Sequence, residues 1–168
     1  MTYYPFSFDA EIVHHDVGSE RYVYTVVFLP LEILAELPLK AHPRLRITGE
    51  VNDHPFDAAL TPVRGAWYIL FSRKMLAAIG ARPGDEVQVR FRIADQDAVE
   101  IPPALQAALS ADRRMNDLWD AQTPGKRRGL AYRVASAKTA KTQSKRVAEV
   151  FDILEGKRDL RGKLLKAD

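Results

Sequence analysis

Between Ala121 and Ala148 the chain carries eight basic side chains and no acidic one: Lys126, Arg127, Arg128, Arg133, Lys138, Lys141, Lys145 and Arg146. Cations gathered on one surface release counterions when they meet a polyanion, and they attract acidic protein faces by the same electrostatics. The chemistry open to this segment is therefore anion recognition, through phosphate contacts in a nucleic acid or through carboxylates on a partner protein. At helical spacing Lys138, Lys141 and Lys145 fall near one face, with Arg133 close to it. Tyr132 is the one aromatic beside these cations, too few rings to stack successive bases of a single strand. The other reading of the same residues is a solvated helix face laid against an acidic part of the same molecule.

The remaining reactive side chains do not assemble by spacing. His14 and His15 are adjacent and would point to opposite faces of a strand, while His42 and His54 stand beside prolines. A metal site wants ligands that converge, and this spacing gives none. Asp95 and Asp97, with Glu100 nearby, share a side of an extended chain and could in principle divide acid and base roles. They follow a strand pattern directly, which reads as a solvated turn. There is no Gly-x-Ser-x-Gly elbow, no phosphate-binding glycine loop and no dinucleotide fingerprint. The expectation is a non-catalytic chain with no cofactor and no metal. Tyr3, Tyr4, Trp67 and Tyr68 read as core or barrel-mouth residues rather than a ligand cage.

These residues need elements to hold them. Phe6, Phe8, Ala10 and Ile12 alternate at the strand period. Residues His14 to Ser19 read as a turn, and Tyr22 to Leu29 as a strand buried on both faces. Leu31 to Leu37 reads as a short helix stopped by Pro38. Leu45, Ile47, Gly49 and Val51, a turn at Asn52-Asp53, then Phe56, Ala58 and Leu60 predict a hairpin. Thr61-Pro62 and Gly65 punctuate a loop before a strand from Trp67 to Phe71. A helix from Lys74 to Ile79, a left-handed cap at Gly80, a type II turn at Pro83-Gly84 and alternation of Val87, Val89, Phe91 and Ile93 form the best-defined unit.

The period changes at Pro102. Helices are expected after Pro102-Pro103, after Asp112, after Thr123-Pro124 and from about Thr142 to Leu154, with Gly156 as the last stop and a frayed, charged end over Lys157 to Asp168. The predicted fold is α+β, a small barrel over 1–100 followed by a basic segment of three to four short helices over 101–168. Charge divides the same way. Residues 1–112 hold 10 Lys/Arg and 15 Asp/Glu, net −5, and residues 113–168 hold 15 and 7, net +8. There is no cysteine, so disulfides and thiolate zinc sites are excluded. The amino-terminal stretch has no basic region followed by an apolar one, and no apolar run approaches a membrane span. A cytoplasmic protein without membrane contact is expected, as a monomer or weak homodimer.

The segment Leu76 to Val87 resembles the helix, Gly-Asp turn and strand of double-split and double-psi barrels, the unit that AbrB-like transcription factors also carry. With Phe28-Leu29-Pro30, Arg46 to Asn52 and Ser72-Arg73-Lys74, the first part resembles a bacterial domain of unknown function with a double-split barrel. Thr123 to Arg128, Ala137-Lys138, Thr142 and Lys145-Arg146-Val147 are similar to the helical segment of bacteriocin-protection or OmpD-associated proteins. The two resemblances span about residues 5 to 156. They imply a protective role against bacteriocins and name no molecular activity. Two positions depart from the pattern: Gly129 stands inside a helix, and Gln143 stands where Arg is expected.

Overall fold

Alternation puts Val87, Val89 and Phe91 on one face of the longest strand, and all three are buried. A computed structural model describes residues 3–16 and 23–166. The chain divides into two compact units, Met1–Gln96 and Asp97–Asp168.

The first unit contains β1 (Phe6–Glu11), β2 (Val13–Asp16), β3 (Val23–Phe28), α1 (Leu31–Leu34), β4 (Arg46–Val51), β5 (His54–Ala59), β6 (Thr61–Val63), β7 (Ala66–Leu70), α2 (Arg73–Ile79) and β8 (Glu86–Ile93). The strands form two antiparallel four-stranded sheets, ordered β1-β8-β4-β5 and β2-β3-β7-β6. Ile12 and Leu60, both fully buried, sit where the chain leaves one sheet for the other, between β1 and β2 and between β5 and β6. Strands that turn such corners let two sheets share one core. That core includes Phe8, Ile47, Val51, Ile69, Phe71 and Phe91, and the Phe6 ring stacks on Phe91 at 5.0 Å.

The α+β class is as expected, but the closed barrel is not found. Among the described residues, pairing stops at β1 and β5 in one sheet and at β2 and β6 in the other. Four local expectations are also corrected. His14 to Asp16 is strand rather than turn: it pairs with β3, and the His15 ring packs against Phe28 and Tyr68 at 5.7 and 5.2 Å. Val17 to Ser19 of that expected turn lie outside the described residues. Thr61-Pro62 belongs to β6, an edge strand, where a missing proline N–H leaves no ladder bond unmade. β3 is buried on both faces only at Val26 and Val27, since Val23 is 57% exposed. Tyr3 is 79% exposed and therefore no core residue.

The second unit holds α3 (Pro103–Ala111), α4 (Arg113–Asp120), α5 (Pro124–Ala135) and α6 (Ala140–Leu154). Asp112, Thr123 and Thr139 each accept the amide of the residue three positions on, which fixes where α4, α5 and α6 begin. With Thr139 as its cap, α6 starts at Ala140, two residues before the expected Thr142. The apolar faces meet in one cluster of Leu105, Leu109, Met115, Trp119, Leu130, Ala131, Val134, Val150 and Leu154. No helix among the described residues is long and apolar enough to cross a membrane.

The expected fraying after α6 does not occur over 157–166. Arg158 donates through Nε to Asp152 at 2.9 Å and through a terminal nitrogen to the Gly162 carbonyl at 2.8 Å. Arg158 bridges Leu164, and the Leu165 amide donates to the Lys157 carbonyl at 3.0 Å. One arginine between a carboxylate and a carbonyl thus staples a charged tail into a tight turn, an outcome that composition alone did not indicate.

Candidate functional site

The segment's eight cations split between two helices and the link joining them. Lys126, Arg127, Arg128 and Arg133 stand on α5, Lys138 lies in the link, and Lys141, Lys145 and Arg146 stand on α6. The expected single helical face over Arg133, Lys138, Lys141 and Lys145 is therefore corrected, because the helix ends at Ala135 and restarts at Ala140.

Three of the eight meet at one concave surface. A groove of about 600 Å³ is walled by Lys126, Arg133, Arg146 and Arg161, with Gly125, Gly129, Leu130, Tyr132, Ser136 and Leu160 completing its lining. Gly125, Gly129, Tyr132, Arg133 and Ser136 follow the three- and four-residue spacing that stacks side chains on one side of a helix. The turn after α6 supplies Leu160 and Arg161. An adjoining hollow of about 500 Å³ shares Lys126, Leu130, Leu160 and Arg161 and continues past Arg158 and Asp159.

One carboxylate organises the cationic wall from behind. Arg133 donates to Glu149 Oε2 at 3.1 Å, and Arg146 approaches the same oxygen at 3.4 Å. The Arg133 and Glu149 side chains are only 17% and 16% exposed. Arg133 also donates to the Leu160 carbonyl at 3.2 Å, and Gly162 lies close beside its guanidinium. A Cβ on Gly162 would come within 2.7 Å of that guanidinium. Arg133 is thus held in place before any ligand arrives, which lowers the ordering cost of binding. Two guanidiniums share one carboxylate, so the wall keeps a net positive charge.

Replacing Glu149 by alanine strips Arg133 and Arg146 of that acceptor. We expect a stability loss of about 1–3 kcal/mol in urea unfolding, the range for leaving a part-buried charged group without its partner. Adding Arg133→Met to the same chain should recover part of the loss, because the orphaned charge is then gone.

Asp159 fixes the other wall. Its Oδ1 accepts the Lys163 and Arg161 amides, each at 2.9 Å. The Lys163 amide is the largest cause and, with the Arg161 amide and charge and the Gly162 amide, holds its carboxyl below the ordinary value against desolvation, the second-largest effect. A depressed carboxyl stabilises the folded turn above its unfolded pKa of roughly 3.9, and the contribution is lost as pH falls through the lower folded value. The Arg161 and Lys163 amide resonances should therefore stay fixed above about pH 4 and shift together below it.

The other predicted cations are not on this groove. Lys138, Lys141 and Lys145 are exposed elsewhere on the unit's surface. Arg128 donates to the Ala98 carbonyl at 3.2 Å, and Arg127 is half-buried with its Nε lacking a hydrogen-bond partner. The sequence does not point to Arg161, because its charged tail reads as frayed, nor to Glu149, because it lies just past the acid-free run. The available signal was Gly129. It costs about 1 kcal/mol in a helix relative to alanine, and a Cβ there would meet nothing within 4 Å. Asp95 is in the first unit and Asp97 in the second, and both are exposed. Among the described residues no group of three His, Asp or Glu side chains could hold a metal ion.

Residues 8–91, half of the chain, match the family model described as Domain of unknown function (DUF1905). The chain belongs to that family. Residues 98–156 match a second model, described as Bacteriocin-protection, YdeI or OmpD-Associated (OmdA). This is the order of parts that the sequence resemblance implied, and neither description mentions AbrB-like proteins or a reaction. No match was found among curated proteins. The glycine floor, Lys126, Arg133 and Arg146 lie inside the second matched region, whereas Leu160 and Arg161 lie beyond it.

Proposed function

We propose that this chain is a non-catalytic binding module whose helical unit contacts an acidic protein partner. The observation that carries the reading is the groove itself: four cationic side chains wall it, and no carboxylate belongs to its lining. Among the described residues Lys126 and Arg161 are in no salt bridge; Lys126 offers its full charge to a partner, while the Arg161 charge also acts on neighbouring Asp159. Lys138, Lys141 and Lys145 would extend the positive field and speed encounter more than they strengthen the bound state. A protective or stress-type role in a bacterial cytoplasm, with the chain as monomer or weak homodimer, belongs to the same reading.

The rival occupant of the same cations is nucleic acid. A track for a backbone would need cations in series and rings to stack on, and here one tyrosine stands beside a short, walled groove. The test captures partners from a lysate on the immobilised full chain, with a Lys126→Glu, Arg161→Glu chain as control, and divides the bound material into protein and nucleic acid. Acidic proteins held by the native chain and lost by the control are the expected result. Nucleic acid alone, with a log-log salt slope near −0.9 per phosphate contacted, would replace this reading with its rival.

A further inference from the structure

We infer that the groove seats a short acidic peptide segment carrying an apolar anchor between its carboxylates. The inference rests on the binding-module reading and sharpens it to one occupant and one seat.

The floor comes first. Gly125 and Gly129 stand one turn apart on α5, facing the groove, where a helix would otherwise present two side chains. Nothing inside the unit requires them to be glycine: a Cβ on Gly129 meets open space, and one on Gly125 meets only an Arg128 nitrogen at 3.9 Å. Both have ordinary helical backbone rather than the left-handed conformation that favours glycine. The helix is weakened there with no compensating contact among the described residues. What two bare turns supply is a trough in which another chain can approach the helix backbone closely.

The lining then selects the occupant. Leu160, 57% exposed, supplies apolar surface, Leu130 only reaches the lining from the core, and Tyr132, 72% exposed, offers a ring at the rim. An exposed tyrosine beside apolar floor suits an aliphatic or aromatic anchor, since it adds contact area at low ordering cost. Around that floor stand Lys126, Arg133, Arg146 and Arg161. Arg133 is fixed by Glu149 and the Leu160 carbonyl, so its guanidinium is positioned before a ligand arrives. Carboxylates flanking an apolar side chain match this mixture. A polyphosphate would leave Leu130, Leu160 and Tyr132 unused, and a rigid duplex would bridge the rims without reaching the floor.

Fluorescence anisotropy on the full chain at low ionic strength tests the idea. The probe is a labelled nonapeptide of glutamate and aspartate with a central phenylalanine, alongside the same peptide with glycine at the centre. Two variants accompany the native chain: Gly129→Leu, which fills the trough with a better helix former, and Lys138→Glu, Lys141→Glu, Lys145→Glu together, which reverses charge away from it. The native chain should hold the phenylalanine peptide at least about tenfold more tightly than the glycine peptide, Gly129→Leu should lose about tenfold, and the triple variant should lose less than about threefold. Circular dichroism showing Gly129→Leu as helical as the native chain ties its loss to the trough. If Gly129→Leu binds like the native chain while the triple variant loses binding, the seat is wrong and the broader acidic-partner reading stands. No binding of either peptide to the native chain would overturn both.

Discussion

Gly49→Ala will cost the first unit about 3 kcal/mol or more, among the larger losses a single methyl can cause. Gly49 sits on β4 opposite Phe91 of β8, and an added Cβ would stand 2.0 Å from the Arg90 carbonyl oxygen and 2.7 Å from the Phe91 Cα. These are backbone atoms of the central strand pair, so no rotamer change can make room. Phe91 is fully buried and stacked on Phe6, so it cannot swing away without opening the core. For a unit of this size the loss corresponds to a fall in Tm of at least about 12 °C. Gly129→Ala is the matched control. It adds the same methyl to open space on α5 and should raise stability by up to about 1 kcal/mol. Urea unfolding of both variants checks the pair, and a Gly49→Ala chain within about 1 kcal/mol of native would show that β8 can retreat.

The second large effect lies under the groove. Trp119 is the largest fully buried side chain of the molecule and packs in one cluster with Leu130, Ala131, Val134 and Val150. Trp119→Ala should cost about 3–5 kcal/mol, because the cavity collapses only in part. Leu130, Ala131 and Val134 are the inward face of α5, whose other side carries Lys126, Arg133 and the glycine floor. Loss of the Trp119 support should therefore loosen the cationic wall as well, lowering affinity for an acidic peptide together with stability. Trp119→Phe refills much of the space and should lose only about 1–3 kcal/mol while keeping the peptide. A Trp119→Ala chain that unfolds like the native one in urea would mean that α5 and α6 hold each other without the ring.

Much of the local structure could be read residue by residue. Asp112 and Thr123 cap helices through short-range bonds that depend on sequence alone. Gly80 and Gly84 adopt the positive φ values expected of a helix cap and a type II turn. Other features depended on remote partners. His14 to Asp16 extends because β3 lies alongside, and Thr61 to Val63 because β7 does. A hydrogen-bond ladder is a relation between distant segments, and a polar or proline-bearing stretch does not announce it.

For this protein, side-chain periodicity and turn chemistry determined by themselves the α+β class and the order of strands and helices apart from β2 and β6, and composition the concentration of positive charge after Asp112. Tertiary structure alone decided that the strands make two sheets rather than a closed barrel, that Arg161 joins Lys126, Arg133 and Arg146, and that Glu149 stands behind two of them. The physical reason is range. Capping and alternation act within a few residues, whereas the groove is made by packing α5 against α6 and by the Arg158 staple that folds the tail back.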